Sequence, residues 1–186
     1  MTDYGRQTGP GSLEFTRTFA APIERVWQFL VEPEKRQLWF CGGSTDDHVG
    51  GKIVMDFDHR RLSESAPPEK YASEETATHH AEILEYDPPK RLAFTWFEST
   101  GTTSSKVEIS LNPIDGASTE LHLVHTGVVG REMLIGVFAG WHGHFDLLGE
   151  VLVGQRTSDF WVRDQQLEAE YEQKSNAGEY SRRRAF

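Results

Sequence analysis

One cysteine, Cys41, serves all 186 residues. A single thiol builds no internal disulfide framework, and such sparing use fits a reducing, cytoplasmic setting. Nothing beside Cys41 in the sequence activates it, so it reads as a small buried thiol rather than a nucleophile. Long apolar runs are also missing. No stretch approaches the roughly 20 residues of a membrane-spanning helix. The opening "MTDYGRQTGPGS" has neither the basic start nor the apolar core of a secretory signal. Basic charge is scarce as well. With 19 Lys and Arg against 29 Asp and Glu the net charge is -10, which argues against binding a phosphate backbone. The one basic run, "SRRRAF" at the C-terminus, reads as a solvated tail. There are no internal repeats, no Gly-x-Ser-x-Gly elbow, no phosphate loop and no dinucleotide fingerprint. Neither nucleic acid nor membrane is expected as a partner, and no cofactor.

What is present is a run of alternating segments. Residues 1–12 and 174–186 are polar and read as flexible ends, and "SESAPPEKYAS" at Ser63–Ser73 as a loop. "LEFTRTF" alternates as a strand, with Leu13, Phe15 and Phe19 on one face and Arg17 the charged exception among them. "APIERVWQFLVEP" has helical spacing at Val26, Trp27 and Leu30, with Pro22 in the first turn and Pro33 as its stop. "PEKRQLWF" forms a second short helix ending near Phe40 and carrying Trp39. Strands follow at short intervals: "GGKIVMDFD" turns Ile53, Met55 and Phe57 inward, and "THHAEILEY" turns Ala81 and Ile83, with Glu85 on the same parity. After the turn "DPPK", "RLAFTWF" aligns Leu92, Phe94 and Trp96, "KVEISLNP" aligns Val107, Ile109 and Leu111, and "TELHLVHT" sets Leu121, Leu123 and His125 on one face. A glycine-bracketed apolar connector spans Gly127–Gly140. Beyond it, in "GWHGHFDLLGEVLVG", Trp141, Phe145, Leu148 and Leu152 fall at i, i+4, i+7 and i+11, one continuous helical stripe.

Consecutive strands joined by short turns favour an antiparallel sheet with one covered face, and the striped helix is its natural cover. The expected class is α+β. A curved antiparallel sheet wraps a long C-terminal helix, with two short helices after the first strand, in one domain over residues 13–155. "TSDFWVRDQQLEAEYEQ" adds a further helix over 156–173, with Phe160, Leu167 and Tyr171 at helical spacing, suited to capping the interior or to a homodimer contact.

The order and spacing of "FAAPIERVW", "EPEKRQLWF", "VGGKI", "EILEYDPPKRLAFTW", "LVHTG" and "GWHGHFDLL" resemble the helix-grip fold of the START-like (birch-pollen-allergen) superfamily. Within it the chain resembles the family named for the C-terminal domain of the 90-kDa heat-shock-protein ATPase activator, from about Leu13 to Val153. The resemblance implies a sheet gripping the C-terminal helix around a cavity for an apolar small molecule. It also brings a chaperone partner into view, although the N-terminal domain that precedes this one in the chaperone activator is missing from the sequence.

Candidate chemistry is sparse. His79 and His80 are adjacent on a strand, and His122 and His125 are three apart, so both pairs face opposite ways. No pair has a zinc-ligand spacing, and no metal is expected. His142 and Asp146, at i and i+4, suggest a surface ion pair away from the stripe. His125, inward beside Leu121 and Leu123, is either a ligand-orienting or acid–base group or a hydrogen-bonded core residue, the second being favoured. Arg17 is a candidate anchor for an anionic head group, conceivably paired with Glu85. The aromatic residues Trp39, Phe57, Phe94, Trp96, Trp141 and Phe145, with the apolar rows around them, describe either a solid core or an apolar ligand pocket. The connector suits a gate over its mouth. No catalytic residue is assigned. The leading expectation is a binding module for a hydrophobic or amphipathic small molecule, the alternatives being a cyclase-, aromatase- or hydrolase-like enzyme using the same pocket, or a chaperone-associated binding module.

Overall fold

A computed structural model describes residues 4–74, 76–96 and 105–176. Seven antiparallel strands form one sheet in the order β1-β2-β7-β6-β5-β4-β3. They are β1 (Arg6–Gly9), β2 (Ser12–Phe19), β3 (Lys52–Asp58), β4 (Thr76–Asp87), β5 (Arg91–Trp96), β6 (Ser105–Asp115) and β7 (Ser118–Thr126). From β3 to β7 neighbours in sequence are neighbours in the sheet, β4 to β5 and β6 to β7 through short turns. β2 instead pairs with β7, Leu13 opposite His125 and Phe15 opposite Leu123. The chain therefore crosses the sheet between β2 and β3, and two helices make that crossing: α1 (Ile23–Val31) and α2 (Pro33–Arg36). The Pro22 carbonyl accepts from the Arg25 and Val26 amides at the start of α1, and Ile23, Val26, Trp27 and Leu30 bury one face at helical spacing. Pro33 ends the helix and opens the next.

α3 (Arg131–Leu152) lies across the concave face of the sheet. Its 22 residues extend about 33 Å. The expected stripe Trp141, Phe145, Leu148 and Leu152 is buried, together with the inward rows of the strands. α4 (Phe160–Asn176) then folds back along the opposite side of α3.

Four expectations are corrected. Arg6–Gly9, placed in a flexible N-terminus, is the edge strand β1, held down because Gly5 donates its amide to Tyr171 Oη at 2.9 Å. The connector Gly127–Gly140 is not a loop: from Arg131 onward it is the first half of α3. Within Ser63–Ser73, a 3₁₀ turn begins at Glu69 and runs to Glu74. The added helix begins at Phe160, not 156, and continues to Asn176. The "SRRRAF" tail lies outside the described residues. No helix among the described residues is long and apolar enough to cross a membrane.

Candidate ligand cavity and the two sides of α3

Sheet, α1, α2 and α3 converge on an internal cavity of about 20 Å³, room for about one water-sized sphere. Of the expected pocket residues, Trp39, Met55, Phe94, Ile109 and Trp141 line it. Ile83, Leu123, Phe145 and Leu148 are buried in the surrounding core, while Phe57 and Trp96 are half-buried. The residue the sequence did not single out is Phe40. Its ring lies nearly parallel to those of Trp39 and Trp141, each at 5.2 Å, and to Trp96 at 6.2 Å. It also meets Phe57 edge-on at 5.2 Å. A stack of rings thus runs from the cavity to the half-exposed edge of the sheet. Phe40 follows α2 with no periodic pattern of its own, so only α2's placement reveals it.

The polar groups around the cavity are saturated. Trp141 Nε1–H is donor-only and donates to His125 Nδ1 at 3.1 Å. That fixes the neutral ring with its proton on Nε2, which faces Ser105 Oγ at 2.6 Å. Burial lowers the His125 pKa to about 3. With both nitrogens engaged in this sense, His125 cannot take a proton from Ser105 and acts as a fully buried structural residue. The Arg36 guanidinium is held by the carbonyls of Cys41, Gly42, Gly43 and Val54 and by the Thr45 hydroxyl, fastening the segment that bridges to the β3 edge. Cys41 is buried, and burial pushes its thiol up to about 12 against the pull of Arg36, so it is inert as a nucleophile.

Arg17 and Glu85 do not meet. Arg17 is buried with Nη2 3.7 Å from Asp146 of α3, whereas the Glu85 side chain is 40% exposed and pairs with Arg91 at 3.2 Å. A bulge in β4 between Ile83 and Glu85 shifts the register there, so parity no longer aims Glu85 inward.

The pair His142 and Asp146 is also corrected. His142 is 2% exposed, not on the surface. α4 covers it: Tyr171 Oη accepts from Gly5 and stands 2.9 Å from His142 Nδ1, while Nε2 faces Asp146 at 3.7 Å. Asp146 in turn accepts from Arg163 of α4 at 2.8 Å. Burial, with Arg17 and Arg163 nearby, lowers the His142 pKa to about 3. Two residues on, His144 Nδ1–H donates to the Trp39 carbonyl at 2.7 Å, and its ring stacks on Phe160 of α4 at 4.3 Å. A Cβ on Gly143 would stand 3.4 Å from the Phe160 ring of α4, and one on Gly136 only 2.9 Å from Tyr71 Oη of the 3₁₀ turn. Gly136 and Gly143 share a helical face, and that spacing was the readable signal for a second packed side. Among the described residues no cluster of three metal-ligating side chains forms.

A second, open cleft of about 350 Å³ lies between the β1–β2 turn, the start of α3 and the end of α4, lined among others by Val128, Leu134 and Ile135.

Residues 20–153 match the family model described as Activator of Hsp90 ATPase homolog 1-like protein. No curated protein matches the chain significantly. Among solved structures, a Bordetella parapertussis protein is 31% identical, with 93% of each chain covered and a TM-score of 0.76. CalU16 from Micromonospora echinospora is 24% identical, with 91% of this chain and 93% of that one covered and a TM-score of 0.63. A conserved protein of unknown function from Enterococcus faecalis, at 17% identity and a TM-score of 0.66, covers 95% of this chain and 92% of its own. The last two share the fold. Match length, the seven-stranded sheet and the gripped helix agree: the chain belongs to the family of Activator of Hsp90 ATPase homolog 1-like proteins.

Proposed function

We propose that the protein holds a small, flat apolar or amphipathic molecule between the sheet and α3, inserted into the ring stack centred on Phe40. The observation that carries this is the stack itself, with the Phe40 ring nearly parallel to each of Trp39, Trp141 and Trp96 and leading from an apolar cavity to the half-buried edge at Phe57 and Trp96. The polar groups beside it are already bonded within the protein, so an apolar guest leaves none of them stranded. A void of about 20 Å³ is far below the several hundred Å³ of ordinary ligand pockets, so the guest gains room by displacing a ring. That selects planar molecules of about one or two rings. The enzyme reading gains no support, because the saturated His125 offers no proton acceptor.

The test is native mass spectrometry of freshly purified protein, paired with titration of 1-naphthol followed by tryptophan fluorescence. A bound mass lost on denaturation, or saturable quenching abolished by Phe94→Trp in a folded variant, supports the reading. A clean mass together with no saturable response overturns it.

A second reading, a protein partner such as a chaperone or a second copy of the chain, is favoured by one observation. Val129 and Met133 are exposed beside the open cleft. Association that survives Phe94→Trp and is lost in Val129→Asp/Met133→Asp supports it. Association lost in the first variant and kept in the second sinks it.

A further inference from the structure

α4 carries a group that its own packing does not explain. Asp164 is 3% exposed, and its Oδ2 has no hydrogen-bond partner among the described residues. Trp161, one turn earlier on the same face, buries an indole N–H in the same condition. An ionised carboxylate oxygen sealed from water without a donor is strongly disfavoured, whereas a carboxylic acid there is tolerable. The groups around it sharpen the preference. Glu168 stands one turn along α4, accepting from Tyr71 Oη and Lys70 Nζ of the 3₁₀ turn at 2.5 Å each. Beyond Trp161 and Phe160 lie His59 of the turn His59–Arg61, 4.7 Å from the Trp161 ring, and His144 of α3. Lys70 favours ionised Asp164, but it is already bonded to Glu168.

We propose that α4 is a proton-latched cover over the aromatic interior: with Asp164 as the neutral acid it lies closed on α3, and ionisation of Asp164 releases it. Release uncovers the Phe160 and Trp161 rings, and with them His144 and His59, behind which Phe40 walls the cavity, 4.9 Å from His144. The latch is independent of what the interior holds.

Burial and then Glu168 raise the Asp164 pKa from 3.8 to about 7, against Lys70. The closed state therefore keeps a proton that the open state loses, between about pH 4 and pH 7. Closure is strongest below that window, weakens as pH rises through it and levels off above it. His142 and His144, both covered by α4, oppose this. Burial first, then Arg17 and Arg163 for His142 and His59 for His144, hold each at about 3, so their exposure is favoured by acid. The two histidines together outweigh Asp164 in the wild-type profile, and the difference between variants isolates the latch.

The experiment is amide hydrogen exchange of α4, corrected for intrinsic rates, between pH 4 and 8.5, in wild type and Asp164→Asn. The ratio of wild-type to variant opening should rise about tenfold per pH unit and flatten near pH 7, reaching up to ~1000-fold, with β6 and β7 showing no such ratio. A pH-independent ratio, or an equal rise in β6 and β7, overturns the proposal. Should Asp164→Asn fail to fold, the wild-type Asp164 carboxyl carbon shift and Glu168→Gln decide. A midpoint near 7 that falls in Glu168→Gln supports the latch, and a midpoint below 5 removes it.

Discussion

α3 is packed on two sides that are built from different chemistry. Toward the sheet it presents Trp141, Phe145, Leu148 and Leu152, and rings from β5 and from the segment after α2 fill the space between. Polar atoms beside those rings bond one another, as Trp141, His125 and Ser105 do. Toward α4 it presents glycines, His142, His144 and Asp146, answered by Tyr171, Phe160 and Arg163. The first side is held mainly by burying apolar area, which itself carries no titrating charge, with His125 the titratable group set within it. The second depends on hydrogen bonds and charges, which respond to pH and salt. A cover of the second kind over a core of the first can move without the core dissolving.

The largest effect expected from breaking this contrast is Phe145→Ala. The ring touches Phe15, Phe19, Trp39 and Trp141, so truncation should cost ~3–5 kcal/mol in denaturant unfolding. A cost below ~1 kcal/mol would mean the sheet side is not the stabilising one. Acid comes next. His125, His142 and His144 have folded-state pKa values of about 3 against 6.5. Their folded-state values are depressed, so the unfolded chain binds more protons between those limits. Stability is fully present above about pH 6.5 and is lost as pH falls toward 3. A denaturation midpoint that stays flat from pH 7 to 4 would contradict neutral burial of these rings.

Tyr171→Phe removes the hydroxyl shared by Gly5 and His142, an expected loss of ~1–3 kcal/mol concentrated in exchange protection of β1 and α4. Uniform loss across the sheet would erase the distinction between the two sides. Asp159→Ala should cost ~1–2 kcal/mol, because that side chain caps α4 through the Val162 amide and holds the Glu64 and Ser65 amides. Arg163→Ala should be smallest, under ~1 kcal/mol, and the loss should shrink further in high salt, since its pair with Asp146 is partly solvated.

Much of the sheet side was legible in the sequence. Two-residue alternation put Met55, Phe94, Ile109 and Leu123 inward, and the 3.6-residue stripe from Trp141 to Leu152 named the helix they meet, because both periods follow from local backbone geometry. The candidate site was legible only in part. Phe40 has no periodicity to betray it, and Glu85 has the right parity but sits past a bulge. His142 looks solvent-facing whenever α3 is taken to have one partner, and the first half of α3 looks like a connector for the same reason: an element buried on two sides loses its amphipathic signature.

The sequence by itself thus determined the class of fold, the gripped helix and the apolar character of the interior, since those depend on spacing along the chain. Tertiary structure alone decided that the interior is nearly filled by its own rings, that Arg17 meets Asp146, and that His125 is locked between Trp141 and Ser105. It alone also left Asp164 Oδ2 buried without a donor among the described residues. Each of these depends on which side chains arrive at one point from segments tens of residues apart, and no local period encodes that.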